Sequence, residues 1–163
     1  MKPTGYLKWD VDLVSTSLKL KKEETIEYFK DGRRASFLME RKIRDVVNRK
    51  LDTNKQWTLA ISEGSGYDLL DANNEKWEVR SLTKNVYFTP SNQVGSGRSF
   101  NKTGFLQKVN HIKGYFITDI TKFPTIPYYK LTSDQIKKWW NEEELGKKAS
   151  ISRNKFYDLI EYL

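Results

Sequence analysis

The chain contains no cysteine, which excludes disulfides, cysteine-ligated zinc and thiol catalysis. Histidine occurs once, at His111, so a multi-histidine metal cage is excluded as well. Any metal would then be a hard cation held by carboxylate oxygens, and Mg2+ is the expected one. No apolar run approaches the ~18 residues that a membrane span needs. Residues 1–6 lack the apolar stretch of a secretory leader. A cytoplasmic protein with no membrane partner is the expectation. What is present is 163 residues, 13% aromatic, with 29 basic side chains against 21 acidic ones, a formal net charge of +8. That aromatic content is too high for a disordered basic tail. The length suits one domain, residues 1–163. A surplus of positive charge favours a polyanion by its field, and clustered cations on a basic domain point to nucleic acid.

The cations have local patterning. Gly95-Ser96-Gly97-Arg98-Ser99-Phe100-Asn101-Lys102-Thr103-Gly104 joins flexible backbone to hydroxyls and positive charge. Residues 146–155 form a second such stretch, with Lys148, Ser152, Arg153 and Lys155. Arg98, Asn101, Lys102 and these four are candidate DNA contacts, as are Arg33 and Arg34. The plain alternative for all of them is a solvated surface. Gly95-Ser96-Gly97 lacks the spacing and the Lys-Ser/Thr ending of a P-loop, so an NTPase is not indicated.

Residues 1–22 read as irregular, with a short strand around Tyr6. The 3.6-residue period predicts helices over 23–30 and 33–50, the second carrying Met39, Ile43, Val46 and Val47 on one face. From residue 57 the period becomes two. Strands are expected over 57–62, 67–71 and 76–82, with a hairpin turn at Asn73-Asn74. An extended run at 86–88, a helix over 105–113, a strand over 115–120 and an edge strand at 128–131 follow. Thr132 or Ser133 opens a helix through Trp139 and Trp140, which read as core, and a last helix starts near Ser152. The class is α/β, a small mixed sheet flanked by helices, with extra C-terminal helices over 132–163.

Asp68 and Glu78 lie on the two arms of the expected hairpin. Alternation puts Glu78 and Arg80 on one face, and a suitable register adds Asp68. Two carboxylates there can bind a divalent cation, and an adjacent guanidinium can meet negative charge on a phosphate. Glu40 sits at the edge of the apolar stripe of the long helix, where an unpaired carboxylate is expensive to bury. The competing reading is ordinary: an exposed Asp68, a Glu78–Arg80 surface pair worth about 0–1 kcal/mol, and a Glu40–Arg44 pair at i, i+4.

Gly66-Tyr67-Asp68, nine residues, then Glu78-Val79-Arg80 resembles the PD-(D/E)XK nuclease motif. The element order resembles that family's αβββαβ core, placed here at about 33–131, and Tyr128-Tyr129-Lys130-Leu131 after a proline-rich bend is similar to small type II restriction endonucleases. The resemblance implies a single nuclease-like domain that hydrolyses duplex DNA with Mg2+ on Asp68 and Glu78. Glu40 would orient the attacking water. Tyr67 stands at the motif proline, and Arg80 at the motif lysine. Arginine keeps the charge but cannot act as a base, since its pKa stays above ~12. Lys84 or Lys108 would supply a lysine if one is needed, Lys108 being better placed because its helix should pack beside the sheet. His111 is a further, isolated candidate base. A two-fold homodimer would match a palindromic site, and a monomer nicking one strand at a time is the other arrangement. A non-catalytic nucleic-acid-binding domain on the same fold, and a structure-specific or RNA-processing nuclease, are the alternative functions.

Overall fold

The apolar residues fall into two sets, and one sheet keeps the sets apart. The computed structural model describes residues 1–94 and 97–163. Gly95 and Ser96 of the glycine-rich stretch lie outside the described residues. The first half holds β1 (Gly5–Lys8), α1 (Val11–Leu18), α2 (Lys22–Lys30), α3 (Gly32–Asn48), β2 (Thr58–Leu59), β3 (Leu69–Leu70) and β4 (Lys76–Leu82). The second half holds β5 (Asn85–Tyr87), α4 (Lys102–His111), β6 (Gly114–Asp119), β7 (Thr125–Thr132), α5 (Ser133–Asn141), β8 (Ser150–Ser152) and α6 (Arg153–Ile160). The main sheet has the order β1-β7-β6-β4-β3-β2, and β5 pairs with β8 in a two-stranded ribbon. β4 and β6 run parallel while the other pairs are antiparallel, so the sheet is mixed and the protein is α/β. From α3 to β6 the main elements follow the order αβββαβ, with β5 inserted before α4.

α3 forms where its period says it should. Asp31 caps it, its Oδ1 accepting from the N–H groups of Arg33 (2.9 Å) and Arg34 (3.4 Å). Ala35, Met39 and Ile43, four residues apart, are fully buried against Trp77 and Val79 of β4 and Phe116 of β6. The opposite face carries a second core, where Phe105 and Val109 of α4, Ile136 and Trp139 of α5 and Phe156 of α6 meet Tyr115, Ile117 and Leu131 of the sheet. β6 is buried along its whole length, as a central strand covered on both faces must be. The C-terminal segment is therefore part of the second core and contains a strand as well as helices.

Three expectations change. β7 is not an edge strand: β1 pairs along its outer side, joining residues 5–8 to 125–128. Residues 1–22 are not irregular, because Asp10 caps α1 by accepting from Leu13 N. Ser15, Thr16 and Ser17 weaken the helical signal of that segment. The 57–62 strand is two residues long. Trp57 is buried, but Ile61 is 96% exposed, and the chain turns at 63–65 instead of continuing the alternation.

Asp119, at the end of β6, is completely buried. Arg153 grips it with two bonds, Nη1 to Oδ1 at 2.6 Å and Nη2 to Oδ2 at 2.5 Å. The Tyr157 hydroxyl and the Thr121 hydroxyl and N–H donate to the same carboxylate. Burial pushes the acid's pKa up, but the bonds from Arg153, Thr121 and Tyr157 overcome this and hold it below the usual range. The network ties α6 to the sheet.

Two substitutions test this packing. A Cβ on Gly114 would lie 2.2 Å from the Leu131 carbonyl oxygen and 2.7 Å from the Trp77 ring, so β6 would be forced off β7. Gly114→Ala is expected to cost about 1–3 kcal/mol or more in urea unfolding. Arg153→Ala leaves Asp119 buried without its cation and is expected to cost about 3–5 kcal/mol in the same assay.

Candidate functional site

The hairpin turn sets the register on which the site depends. Asp71 Oδ1 accepts from the N–H groups of Asn73 and Glu75, both at 2.9 Å, and its Oδ2 accepts from the Trp77 indole at 2.9 Å. Asn74 takes the left-handed conformation, which asparagine tolerates. Leu69 then faces Trp77 and Leu70 faces Lys76. Just before this register Asp68 N donates to the Trp77 carbonyl at 2.9 Å, which brings Asp68 beside β4, while Leu69, Trp77 and Val79 are turned to the α3 core.

The two carboxyl groups are in hydrogen-bond contact. Asp68 Oδ2 also accepts from Val79 N at 2.7 Å. Glu78 is 6% exposed, and cations from two elements meet it. The Lys108 ammonium on α4 contacts Oε1, and Arg80 Nη2 lies 3.7 Å from Oε2. Lys108 Nζ donates in addition to the Gly66 carbonyl at 2.5 Å. Gly66 has φ +79°, a left-handed conformation that glycine adopts without strain and that ends the 63–65 turn. Arg80 Nε and Nη2 are buried with no hydrogen-bond partner among the described residues.

These contacts divide the charge between the two acids. Burial raises the Asp68 pKa, and the charge and hydrogen bond of Glu78 and the charge of Glu40 raise it further, to about 9. Burial acts on Glu78 in the same direction, but Arg80, the bond from Asp68 and Lys108 reverse it and hold Glu78 below the usual carboxylate range. Of the two acids, Asp68 is thus the one that holds its proton more tightly and Glu78 the one that favours the charged form.

The site thus brings together Asp68, Glu78, Arg80 and Lys108, with Glu40 close enough on α3 for its charge to act on Asp68. Glu78–Arg80 is a buried pair rather than a surface one, and Arg44 Nε lies 3.0 Å from Asp45 Oδ1. Lys84 is in the β4–β5 turn, its carbonyl accepting from Arg153 N. His111 is exposed, with Nε2 3.2 Å from Lys76 Nζ. Of the candidate DNA contacts, Arg33 and Arg34 are exposed on the first turn of α3, and Lys102 is exposed at the start of α4. Arg98 Nη1 donates to the Ser91 carbonyl at 3.4 Å. Asn101 and Ser152 are the caps of α4 and α6, accepting from Gly104 N and Lys155 N. Lys148 lies in a left-handed turn before β8, and Lys155 pairs with Glu144 at 2.9 Å. Arg153 is committed to Asp119, which makes it an internal tie.

Mg2+ takes one or two protein carboxylates and fills the rest of its octahedron with water and phosphate oxygens. Asp68 and Glu78 are an oxygen donor pair of that kind, and the unsatisfied Arg80 donors beside them suit an anionic substrate. Among the described residues no group of three or more His, Cys, Asp or Glu could hold a metal ion. No protein-family model matches the chain, and no curated protein and no solved structure matches it.

The raised Asp68 pKa has a definite sign. Between the unfolded value near 3.8 and about 9, the folded chain holds a proton that the unfolded chain releases, so stability falls as pH rises through that window. Asp68→Asn removes the titration while keeping an acceptor for Val79 N. In thermal melts without divalent cations, the variant is expected to lose less stability than the wild type between pH 5 and pH 9. Parallel pH profiles would contradict the assignment.

Proposed function

We propose that this protein is a Mg2+-dependent DNA endonuclease of the PD-(D/E)XK type, resembling small type II restriction enzymes and acting on duplex DNA. The observation that carries the reading is the Asp68–Glu78 carboxyl contact with Arg80 and Lys108 both directed at Glu78. The αβββαβ order and the parallel β4–β6 pair support the restriction-endonuclease-like fold. The net charge of +8 supports a polyanionic substrate.

Asp68 and Glu78 would hold the cation, which supplies positive charge against the scissile phosphate and lowers the pKa of a water at neutral pH. Glu40, whose charge acts on Asp68, would orient the attacking water. Arg80, with buried donors to spare, stabilises the charge that develops on the phosphoryl oxygens. Lys108 takes the part of the motif lysine. It arrives from a helix and not from the strand, which reconciles Arg80 with a chemistry that uses an ammonium. In the sequence-specific form of the activity, base contacts would come from loops 90–104 and 146–155, Arg153 excepted, and a two-fold dimer would cut both strands.

Arg80 at the motif lysine also favours a second reading, a non-catalytic DNA-binding domain on the same fold. Plasmid DNA incubated with and without Mg2+ separates the two. Discrete products show a sequence-specific nuclease, smearing a nonspecific one, and binding without cutting the second reading. Asp68→Ala and Glu78→Ala are each expected to reduce cutting by about 10³-fold or more, and Lys108→Met by about 10²-fold, with DNA binding in EDTA retained. Undiminished Mg2+-dependent cutting by either acid variant rejects the site.

A further inference from the structure

The positive charge is unevenly spread. Residues 33–50, α3 and the two positions after it, hold seven cations and two acids, a surplus of five out of the chain's eight. The apolar stripe of α3 faces the sheet, so its cations project elsewhere. At the C-terminal end, Arg44, Asn48 and Arg49 form one wall of an open groove of about 570 Å³ whose other wall is Gln56, Trp57 and Thr58. The groove is built rather than incidental. Asn48 clamps the backbone of Trp57, Nδ2 donating to its carbonyl at 2.9 Å and Oδ1 accepting from its N–H at 2.7 Å. Asp45 takes the Arg44 Nε, leaving the two Nη groups outside that bond.

The groove reaches the backbone of Asp68. β2 pairs with β3, Leu59 opposite Leu69, and Ala60 N donates to the Asp68 carbonyl at 2.9 Å. Leu59, which lines the groove, is thus one residue and one strand spacing of ~4.8 Å from the Asp68 backbone. We infer that the α3–β2 groove binds the sugar–phosphate backbone of duplex DNA, with Arg44 and Arg49 on successive phosphates of the strand that passes Asp68 and Glu78. Guanidinium forks match phosphate geometry, and the amides of Asn48 and Gln56 add neutral polar groups. Trp57 is only 8% exposed and turns into the core, so the groove offers no ring face on which an unpaired base could stack, and a paired strand is the fitting occupant. The direction of the strand rests on the nuclease reading, while the phosphate contacts do not.

Binding of a labelled random-sequence DNA duplex, followed by fluorescence anisotropy in EDTA across a salt series, tests the groove apart from cleavage. R44A/R49A is expected to weaken binding about 10- to 100-fold and to flatten the log Kd against log salt slope by about 1.8, the loss of two phosphate contacts. R44K/R49K keeps the charge and is expected to keep the slope. Circular dichroism and melting of both variants check the fold. If the alanine variant binds with wild-type affinity and slope, the groove assignment is overturned, and Mg2+-dependent plasmid cutting by the same variant would leave the nuclease site standing. Arginine-dependent binding by a wild-type protein that never cuts supports the groove and removes the nuclease reading. Absence of any duplex binding by the wild type overturns the groove.

Discussion

Two carboxyl groups side by side in a buried place cannot both be charged unless cations are brought to them, and the architecture around β3 and β4 is arranged to do that. One acid holds its proton more tightly, the other favours the charged form, and positive charge reaches the second from its own strand through Arg80 and from a separate helix through Lys108. Pairs of this kind are unfavourable for stability alone, because the desolvation of each ion is only partly recovered from its partner. Their convergence on Glu78 of β4 is the kind of local sacrifice that sites of chemistry show.

The two cores explain how the cations are delivered. β4 presents Trp77 and Val79 to α3 and Glu78 and Arg80 to the other side, so the strand serves a packed layer and a polar cluster at once. Phe105 and Val109 anchor α4 in the second core, and Lys108 lies between them in sequence, at its edge. A lysine there is 12% exposed along its side chain, held by helix packing as firmly as a strand residue would be. The same helix contacts the loop before β3 through the Gly66 carbonyl, so the position of the ammonium is fixed by both arms of the site.

Much of this was legible in the sequence, and the gaps have physical causes. The α3 stripe, the β4 alternation and the Asn73-Asn74 turn are strong periodic or turn signals, and they pair the two arms that carry Asp68 and Glu78, although the register at Asp68 itself was not encoded in them. Lys108 could be named as a reserve lysine because its helix was expected beside the sheet, but its contact with Glu78 depends on the crossover between β4 and β6, which no local pattern encodes. The Asp119–Arg153 tie escaped for the same reason. The two residues are 34 apart, and Arg153 within a basic stretch looks like a surface cation until its partner is known. β1 and α1 were poorly read because a four-residue strand and a serine-rich eight-residue helix carry little periodic signal, so β7 seemed to lie at an edge. The arginine groove needs both α3 and the shortened β2 before its walls exist.

The pairing of β1 with β7 sets the timetable of assembly. Residues 5–8 find their partners only at 125–128, so on a ribosome the first strand must wait, with Leu7 uncovered, until some three-quarters of the chain has been made. Contacts that distant close slowly, since the loop entropy is lost before the pairing returns it. The hairpin carrying Asp68 and Glu78 needs no such wait. The acids can therefore come together on the nascent chain well before α4 and its lysine emerge.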